Sequence, residues 1–177
     1  MTPTQHVMLG TDHAFNVMRL CPKPLIAALE GYALGGGCEL APTCDIIIAG
    51  RRTKLGQPEI RVGIMPGAGG TQWLVRALGK YRAMKMILTG EPVSAPDALT
   101  MGLLSEVVED GQAVPRALEL PLAVRTIKEA VQLGQDASLE TALALERKSF
   151  VMLFDSADQE EGMNAFLEKR KPKFIGC

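Results

Sequence analysis

The spacing of apolar and polar residues divides this chain into short apolar runs and longer stretches of helical period. Short apolar runs with turn residues at both ends predict buried strands over residues 25–28, 45–49, 54–57 and 103–108. Helical spacing, together with start and stop residues, predicts helices over residues 13–20, 36–42, 71–78, 81–89, 94–101, 121–133, 138–154 and 159–169. The order of these elements indicates an α/β core over residues 1–115 and a helical region over residues 116–177.

Residue types at the helix ends and faces predict further details. Asp12 is a suitable N-cap for the first helix, and Asp158 with Glu161 is typical of a capping box that opens the last one. The helix over residues 81–89 is predicted to turn three apolar residues inward: Met84, Ile87 and Leu88.

Composition narrows the class of protein. The 177 residues are 47% apolar and carry a net charge of −1, which favours a packed domain and argues against a nucleic-acid or anionic membrane partner. The four cysteines lack metal-ligand spacing and there are only two histidines, so we expect no metal site. No apolar run reaches membrane-spanning length and no signal-peptide pattern opens the chain. We therefore expect a cytoplasmic protein of bacterial type, or a mitochondrial matrix protein if a longer N-terminal region exists.

Candidate chemistry is concentrated between residues 34 and 70. A glycine run over 35–37 follows a predicted strand, and a helix starting near Gly36 would present unpaired N–H groups that suit an oxyanion. Glu39 lies in the first turn of that helix, and Glu59 follows Pro58 in a predicted extended or turn segment. We expect both carboxylates to reach one pocket.

Simpler interpretations exist for each feature taken alone. A run of three glycines is usually only a turn, and a glutamate near a helix start is usually a surface residue that the helix dipole favours. The glycines over residues 67–70 lack the Lys-Ser/Thr ending of a phosphate-binding loop. We interpret them as a tight turn before the helix that starts near Thr71.

In combination, these motifs resemble the crotonase (enoyl-CoA hydratase/isomerase) family. The resemblance rests on I-A-A-x-x-G-Y-A-x-G-G-G-C-E-L-A over residues 26–41, C-D-I-I-I-A over 44–49 and G-Q-P-E-I-x-x-G-x-x-P-G-A-G-G-T-Q over 56–72. The segment over residues 161–174 looks like the family's C-terminal signature. The resemblance implies a ββα spiral core with a C-terminal helical trimerisation region, and hence a homotrimer or a hexamer of two trimers.

The resemblance also implies roles for particular residues. Glu39 would be the base that holds the water, and Glu59 the acid. Gly36 would donate an N–H to the oxyanion, with Gly35 and Gly67 beside the substrate. In the family, the helix carrying the equivalents of Phe166 and Lys169 approaches coenzyme A on a neighbouring subunit, although the basic run over residues 169–173 is most simply a solvated tail. The substrate would be an acyl-CoA thioester, and no metal or cofactor beyond that CoA is implied.

The chain departs from the family pattern in two places. Relatives have an additional N-terminal region with an A-G-x-D loop that supplies the second oxyanion donor, and their helix is longer where Glu119-Leu120 joins Pro121 here. The sequence could omit segments of the full protein, be a truncated product, or belong to a degenerate homologue. We expect the first, because losing both segments would remove core strands and a helix turn.

Three functions are compatible with these motifs. The first is an enoyl-CoA hydratase that adds water across the 2,3-double bond of a trans-2-enoyl-CoA thioester. The second is a Δ3–Δ2 enoyl-CoA isomerase or another crotonase-type acyl-CoA enzyme. For the isomerase Glu59 alone would suffice, because that reaction needs one proton shuttle. The third is a catalytically degenerate assembly or RNA-binding relative, which the near-neutral charge argues against. The presence of both glutamates favours the hydratase.

Overall fold

The chain forms two compact units in a computed structural model that describes residues 10–119 and 125–175. The division between the units falls between Ala123 and Val124. The predicted boundary after residue 115 lies instead inside a helix of the first unit, Ala113–Glu119. Within the described residues, no helix is long and apolar enough to cross a membrane.

The first unit alternates strands and helices, as predicted for an α/β core. Its strands are β1 (Ile26–Leu29), β2 (Tyr32–Leu34), β3 (Ile46–Gly50), β4 (Lys54–Gly56), β5 (Val93–Ser94) and β6 (Glu106–Val108). Its helices are α1 (Thr11–Arg19), α2 (Gly36–Leu40), α3 (Gly70–Leu78), α4 (Lys80–Thr89), α5 (Ala95–Met101) and α6 (Ala113–Glu119). Two 3-10 turns cover Ala41–Thr43 and Pro58–Val62.

Two small sheets organise this unit. In the first sheet β3 lies between β1 and β6, and all three strands are parallel. In the second, β4 pairs in parallel with β2 and antiparallel with β5. The central position of β3 fits its almost continuous apolar sequence, because a strand covered on both faces needs no polar side.

A single cluster of apolar side chains forms the core between the strands and helices of the first unit. Ile47 and Ala49 of β3 belong to it, together with Leu55 of β4 and Leu74 of α3. Ile48 is also fully buried, and strand alternation places it on the opposite face of the sheet, the face that α6 can cover because it packs against β1, β3 and β6. These contacts hold β2 and β4 in place, and the candidate site follows directly from the ends of those two strands.

The second unit is helical. It contains α7 (Arg125–Gly134), α8 (Leu139–Leu153) and α9 (Ala157–Leu167), and α7 packs against α8. The first four residues of the predicted helix 121–133 lie outside the described part of the chain. Ser138 caps α8 by accepting a hydrogen bond from the N–H of Thr141.

Several sequence predictions are wrong in detail. Helix α1 begins at Thr11, so Asp12 lies in its first turn and is not its N-cap. Helix α9 is capped by Ser156, whose hydroxyl accepts from the N–H of Gln159, so the proposed capping box does not form. Helix α4 buries Ala83 and Met86. Of the three residues predicted to face inward, Met84 and Leu88 are exposed and Ile87 is partly buried.

Candidate active site

Glu39 is a buried carboxylate held by backbone N–H groups. It lies on α2, which begins at Gly36, just after β2. The Gly35 N–H donates to the Gly56 carbonyl at 2.9 Å and so extends the pairing of β2 with β4 to the start of this helix. Glu39 is 4% exposed, and its Oε1 accepts hydrogen bonds from the N–H groups of Ala68 and Gly70, each at 2.8 Å. Hydrogen bonds of this kind compensate a buried carboxylate and fix its position.

The turn before α3 supplies those donors. Gly69, with φ of 114°, caps α3, so the predicted tight turn before this helix is confirmed, with the helix beginning at Gly70 instead of Thr71. A Cβ atom at Gly70 would lie 2.8 Å from the Gln57 side-chain amide and 3.0 Å from Oε1 of Glu39. Glycine at this position therefore allows two polar side chains to approach the backbone closely.

Glu59 lies in the 3-10 turn over Pro58–Val62 and is partly buried. Its carboxylate faces the start of α2, since a Cβ atom at Gly35 would lie 2.8 Å from Oε1 of Glu59. Gly35 has φ of 53°, a conformation that side-chain-bearing residues rarely adopt. Glu59 is thus placed against the residue that precedes α2, and Glu39 lies four positions further along the chain.

Gln57 contacts Glu59 and lies beside the Gly70 backbone, and the sequence motifs do not identify it as a site residue. With its nitrogen turned towards Glu59, its amide donates to both oxygens of that carboxylate at 3.1 Å. The other end of the amide lies beside Gly70, whose N–H donates to Glu39. The sequence feature that could have identified Gln57 is its amide at the end of a buried strand, immediately before Pro58-Glu59. Gln57 is fully buried, so an unpartnered amide here would be costly.

The pKa of the Cys38 thiol is affected by the charges of both carboxylates. Burial raises the pKa of its thiol to about 12, and the charges of Glu59 and Glu39 add to the rise, against the opposing effect of a backbone hydrogen bond with Gly56. The thiol is 1% exposed. It therefore stays protonated at physiological pH and adds no charge near the two carboxylates.

The predicted glycines fall into two groups. A Cβ atom at Gly36, Gly37 or Gly67 would meet no atom of the described chain within 4 Å, whereas one at Gly35 would meet Glu59. Gly36 is also the first residue of α2, where N–H groups have no acceptor inside the helix. Open space therefore adjoins an N–H group at the same helix start that carries Glu39.

Phe166 and Lys169 belong to the second unit. Phe166 is in the last turn of α9 and is 79% exposed, and Lys169 follows that helix with a φ of 53°. Among the residues that the structure describes, no group of three or more histidine, cysteine, aspartate or glutamate side chains is arranged to hold a metal ion.

Comparison with known proteins assigns the family. The model of the family described as enoyl-CoA hydratase/isomerase matches residues 3–176. The chain belongs to this family. It is 48% identical over 162 residues to the 2,3-dehydroadipyl-CoA hydratase of Escherichia coli K12, an alignment that covers 87% of the chain and 64% of that relative. It is 43% identical over 168 residues to the short-chain-enoyl-CoA hydratase of Clostridium acetobutylicum, covering 90% of the chain and 64% of the relative.

A solved structure of a family member supports the fold. The enoyl-CoA hydratase of Bacillus anthracis superposes with a TM-score of 0.92 at 37% identity, over 100% of this chain and 72% of that one. This likeness confirms the predicted crotonase-like α/β fold. The chain spans less than two thirds of the length of the two curated relatives above.

Proposed function

We propose that the protein is an enoyl-CoA hydratase that adds water across the 2,3-double bond of a trans-2-enoyl-CoA thioester. The observation that carries this proposal is the pair of carboxylates at the start of α2, with Gln57 in contact with Glu59 and adjacent to Gly70. Family membership and two relatives named as hydratases of CoA thioesters support it.

The reaction requires a donor for the thioester oxygen. As the oxygen of water attacks C3, electron density moves through C2 to the carbonyl oxygen, which becomes enolate-like. An N–H group aimed at that oxygen typically lowers the barrier by about 3–4 kcal/mol. We assign this donor to Gly36, which is exposed at the first position of α2 beside open space.

Glu39 is assigned to the attacking water. Both of its backbone hydrogen bonds use Oε1, so its carboxylate is held in one orientation, and we assign Oε2, which accepts neither bond, to the water. As the water oxygen bonds to C3, Glu39 takes a proton from it. General base catalysis of this kind contributes about 10²–10⁴-fold.

Glu59 is assigned to C2, because its carboxyl lies against Gly35, the residue just before the oxyanion donor. Glu59 enters the step protonated and gives its proton to C2 as the enolate-like state collapses, so the product is a 3-hydroxyacyl-CoA. Transfer of the proton held by Glu39 back to Glu59 then restores both groups for the next turnover. In the reverse direction the two glutamates exchange roles. The overall reaction moves only protons and a hydroxyl group, so we expect no redox cofactor, and CoA is part of the substrate.

We also propose a homotrimer, or a hexamer of two trimers, in which Phe166 and Lys169 contact CoA bound to a neighbouring subunit. Large apolar side chains of α8 and the residue after it are more than half exposed: Leu139, Leu143, Phe150, Val151, Met152 and Phe154. Exposed apolar surface of this extent favours an interface. Light scattering should give the mass of three or six chains, and a monodisperse monomer would contradict this assignment.

Loss of the absorbance of crotonyl-CoA on hydration tests the proposed activity directly. The isomerase remains the second candidate, because the matching family is described by both activities and Glu59 could shuttle a proton alone. Parallel assays with crotonyl-CoA and a 3-enoyl-CoA separate the two. Turnover of the 3-enoyl-CoA without hydration of crotonyl-CoA would favour the isomerase, and turnover of neither would favour a non-catalytic relative.

A further inference from the structure

Residues 170–175 return along helix α9 and are fastened to Glu161. The Arg170 guanidinium donates to this carboxylate through two nitrogens, Nη1 to Oε1 at 2.6 Å and Nη2 to Oε2 at 2.9 Å. The N–H of Lys173 donates to the same Oε1 at 2.7 Å. We call this set of three hydrogen bonds the Glu161 clasp. A two-pronged arginine–carboxylate pair fixes geometry more strictly than a single contact does.

Two further contacts hold the returning segment beyond the Glu161 clasp. The N–H of Ile175 donates to Oδ1 of Asp158 at 2.7 Å, one helical turn before Glu161. The ring of Phe174 lies over Gly162, where a Cβ atom would stand 3.4 Å from the ring edge. The segment after α9 is therefore attached to the helix at several points along its length.

The turn between the helix and the returning segment has an unusual conformation. Lys169 has φ of 53°, the one positive φ among the non-glycine residues that the structure describes. The N–H of Arg170, the next residue, closes the turn by donating to the Ala165 carbonyl at 3.0 Å. A lysine keeps such a conformation only when its surroundings impose it, and residues of this kind concentrate at functional sites. The hydrogen bonds that end the helix and the Glu161 clasp are both in place to constrain this residue.

The charges of this turn are distributed unequally. Glu161 and Glu168 both pair with Arg170, whereas Lys169, Lys171 and Lys173 are exposed. The hydrogen bonds from the Arg170 side chain and then the Lys173 N–H lower the pKa of Glu161 to about 2, so it is a carboxylate at neutral pH. The exposed ring of Phe166 lies one turn earlier. Ammonium groups and an aromatic face suit a ligand that carries both phosphates and a heteroaromatic ring.

We propose that Glu161 is a positioning residue for the nucleotide half of CoA, which acts by holding the turn at Lys169 in one conformation. This rests on the proposed function, which places Phe166 and Lys169 against CoA. A lysine on a pre-ordered turn binds phosphate without the entropy cost of ordering that turn, so the Glu161 clasp increases affinity without touching the ligand. We expect no effect of the Glu161 clasp on the acyl half of the substrate or on the reacting carbons.

The competing explanation is that the Glu161 clasp only stabilises the end of α9. The two explanations predict different effects of a change at Glu161 on substrates with and without the nucleotide. A positioning role predicts a defect for substrates that carry the phosphates and none for crotonyl-pantetheine, which has the same reacting group but no nucleotide. A purely structural role predicts equal defects for both.

The variant is Glu161→Gln, which removes the charge and the two-pronged pair. Glu168→Gln is the matched control, because Glu168 also accepts from Arg170, through Nε, but is not bonded to the Lys173 N–H. Arg170→Lys is a second test variant, which keeps the positive charge but cannot form the two-pronged pair with Glu161. For each chain kcat and KM are measured with crotonyl-CoA and crotonyl-pantetheine, and binding of free CoA is measured by calorimetry.

We expect Glu161→Gln and Arg170→Lys to raise KM for crotonyl-CoA and Kd for CoA about tenfold, the scale set by losing one charged hydrogen bond. For these two variants, kcat with crotonyl-CoA and both constants with crotonyl-pantetheine should stay within about twofold of the parent values. For the Glu168→Gln control, all measured constants should stay within about twofold of the parent values. Unchanged CoA affinity, or an equal defect with crotonyl-pantetheine, would overturn the proposal. If the parent chain binds CoA but does not hydrate crotonyl-CoA, the proposed function fails, while the calorimetry still decides the role of Glu161.

Discussion

The Glu59 carboxylate lies beside Gly35 at the start of helix α2, where a Cβ atom on residue 35 would stand 2.8 Å from Oε1 of Glu59. The residue before the proposed oxyanion donor therefore also forms part of the wall against which the proposed acid lies. A change at Gly35 should affect the chemistry in addition to the stability of the fold.

We predict that Gly35→Ala lowers kcat for crotonyl-CoA by more than about tenfold, because the new methyl group displaces the Glu59 carboxyl that must reach C2. Gly31→Ala is the matched control. Gly31 also has a positive φ, 75°, but a Cβ atom there would meet no described atom within 4 Å. The control should lose about 1 kcal/mol of stability from backbone strain and keep its kcat. Equal kcat values for the two variants would show that the closeness of residue 35 to Glu59 does not affect catalysis.

Glu39→Gln should lower kcat by about 10²–10⁴-fold while leaving the fold intact. The glutamine oxygen can still accept from the N–H groups of Ala68 and Gly70, but the amide cannot take a proton from water. Circular dichroism and thermal melting check the fold, and Glu91→Gln, a change at an exposed glutamate, controls for the loss of one charge. A Glu39→Gln enzyme as active as the control would remove Glu39 from the mechanism.

Gln57→Met should lower kcat with little change in KM. Methionine has a similar volume but donates no hydrogen bond to the Glu59 carboxylate, which then loses its fixed orientation. We expect a loss of about tenfold, the usual size for a supporting hydrogen bond to a charged group. Gln72→Met, at an exposed position on α3, is the control. If both variants keep the parent kcat, Gln57 serves packing alone.

The pKa of Glu161, lowered to about 2 from an ordinary value of 4.5, predicts how stability depends on pH. A carboxyl with a depressed pKa in the folded state stabilises the fold above its unfolded pKa, and this contribution is lost as the pH falls through the folded pKa. Glu161→Gln should therefore melt at a lower temperature than the parent chain at pH 7. The gap should close as the pH falls from about 4.5 to about 2, and a gap that stays constant over this range would contradict the assignment.

The sequence was informative where one local signal dominates. The predicted strand over residues 45–49 and the predicted helix over residues 94–101 match β3 and α5 to within a residue at each end, because an apolar run and a helix start depend on adjacent residues. Strand β2 was missed because its three residues stand between glycines and form a strand only by pairing with β4. The exposed face of α4 and the alternative partners of Glu161 likewise depend on tertiary contacts that no local pattern encodes.

The candidate site shows the same limit. Motif resemblance predicted Glu39, Glu59 and the glycines, and the structure places both carboxylates beside the start of α2. The contact of Gln57 with Glu59 depends on the 3-10 turn that begins at Pro58, and its approach to Gly70 depends on the turn before α3, so the motifs do not indicate either. The catalytic roles themselves stay predictions that kinetics must test.

Hydration of crotonyl-CoA by the parent chain and by Glu59→Gln tests the central claim most directly. Glutamine keeps the shape of the side chain but has no carboxyl proton to give to C2. We predict measurable hydration by the parent chain and a loss of about 10²–10⁴-fold in kcat for the variant, with an unchanged melting temperature. A Glu59→Gln enzyme that retains near-parent kcat, or a parent chain that binds crotonyl-CoA without hydrating it, would contradict the account.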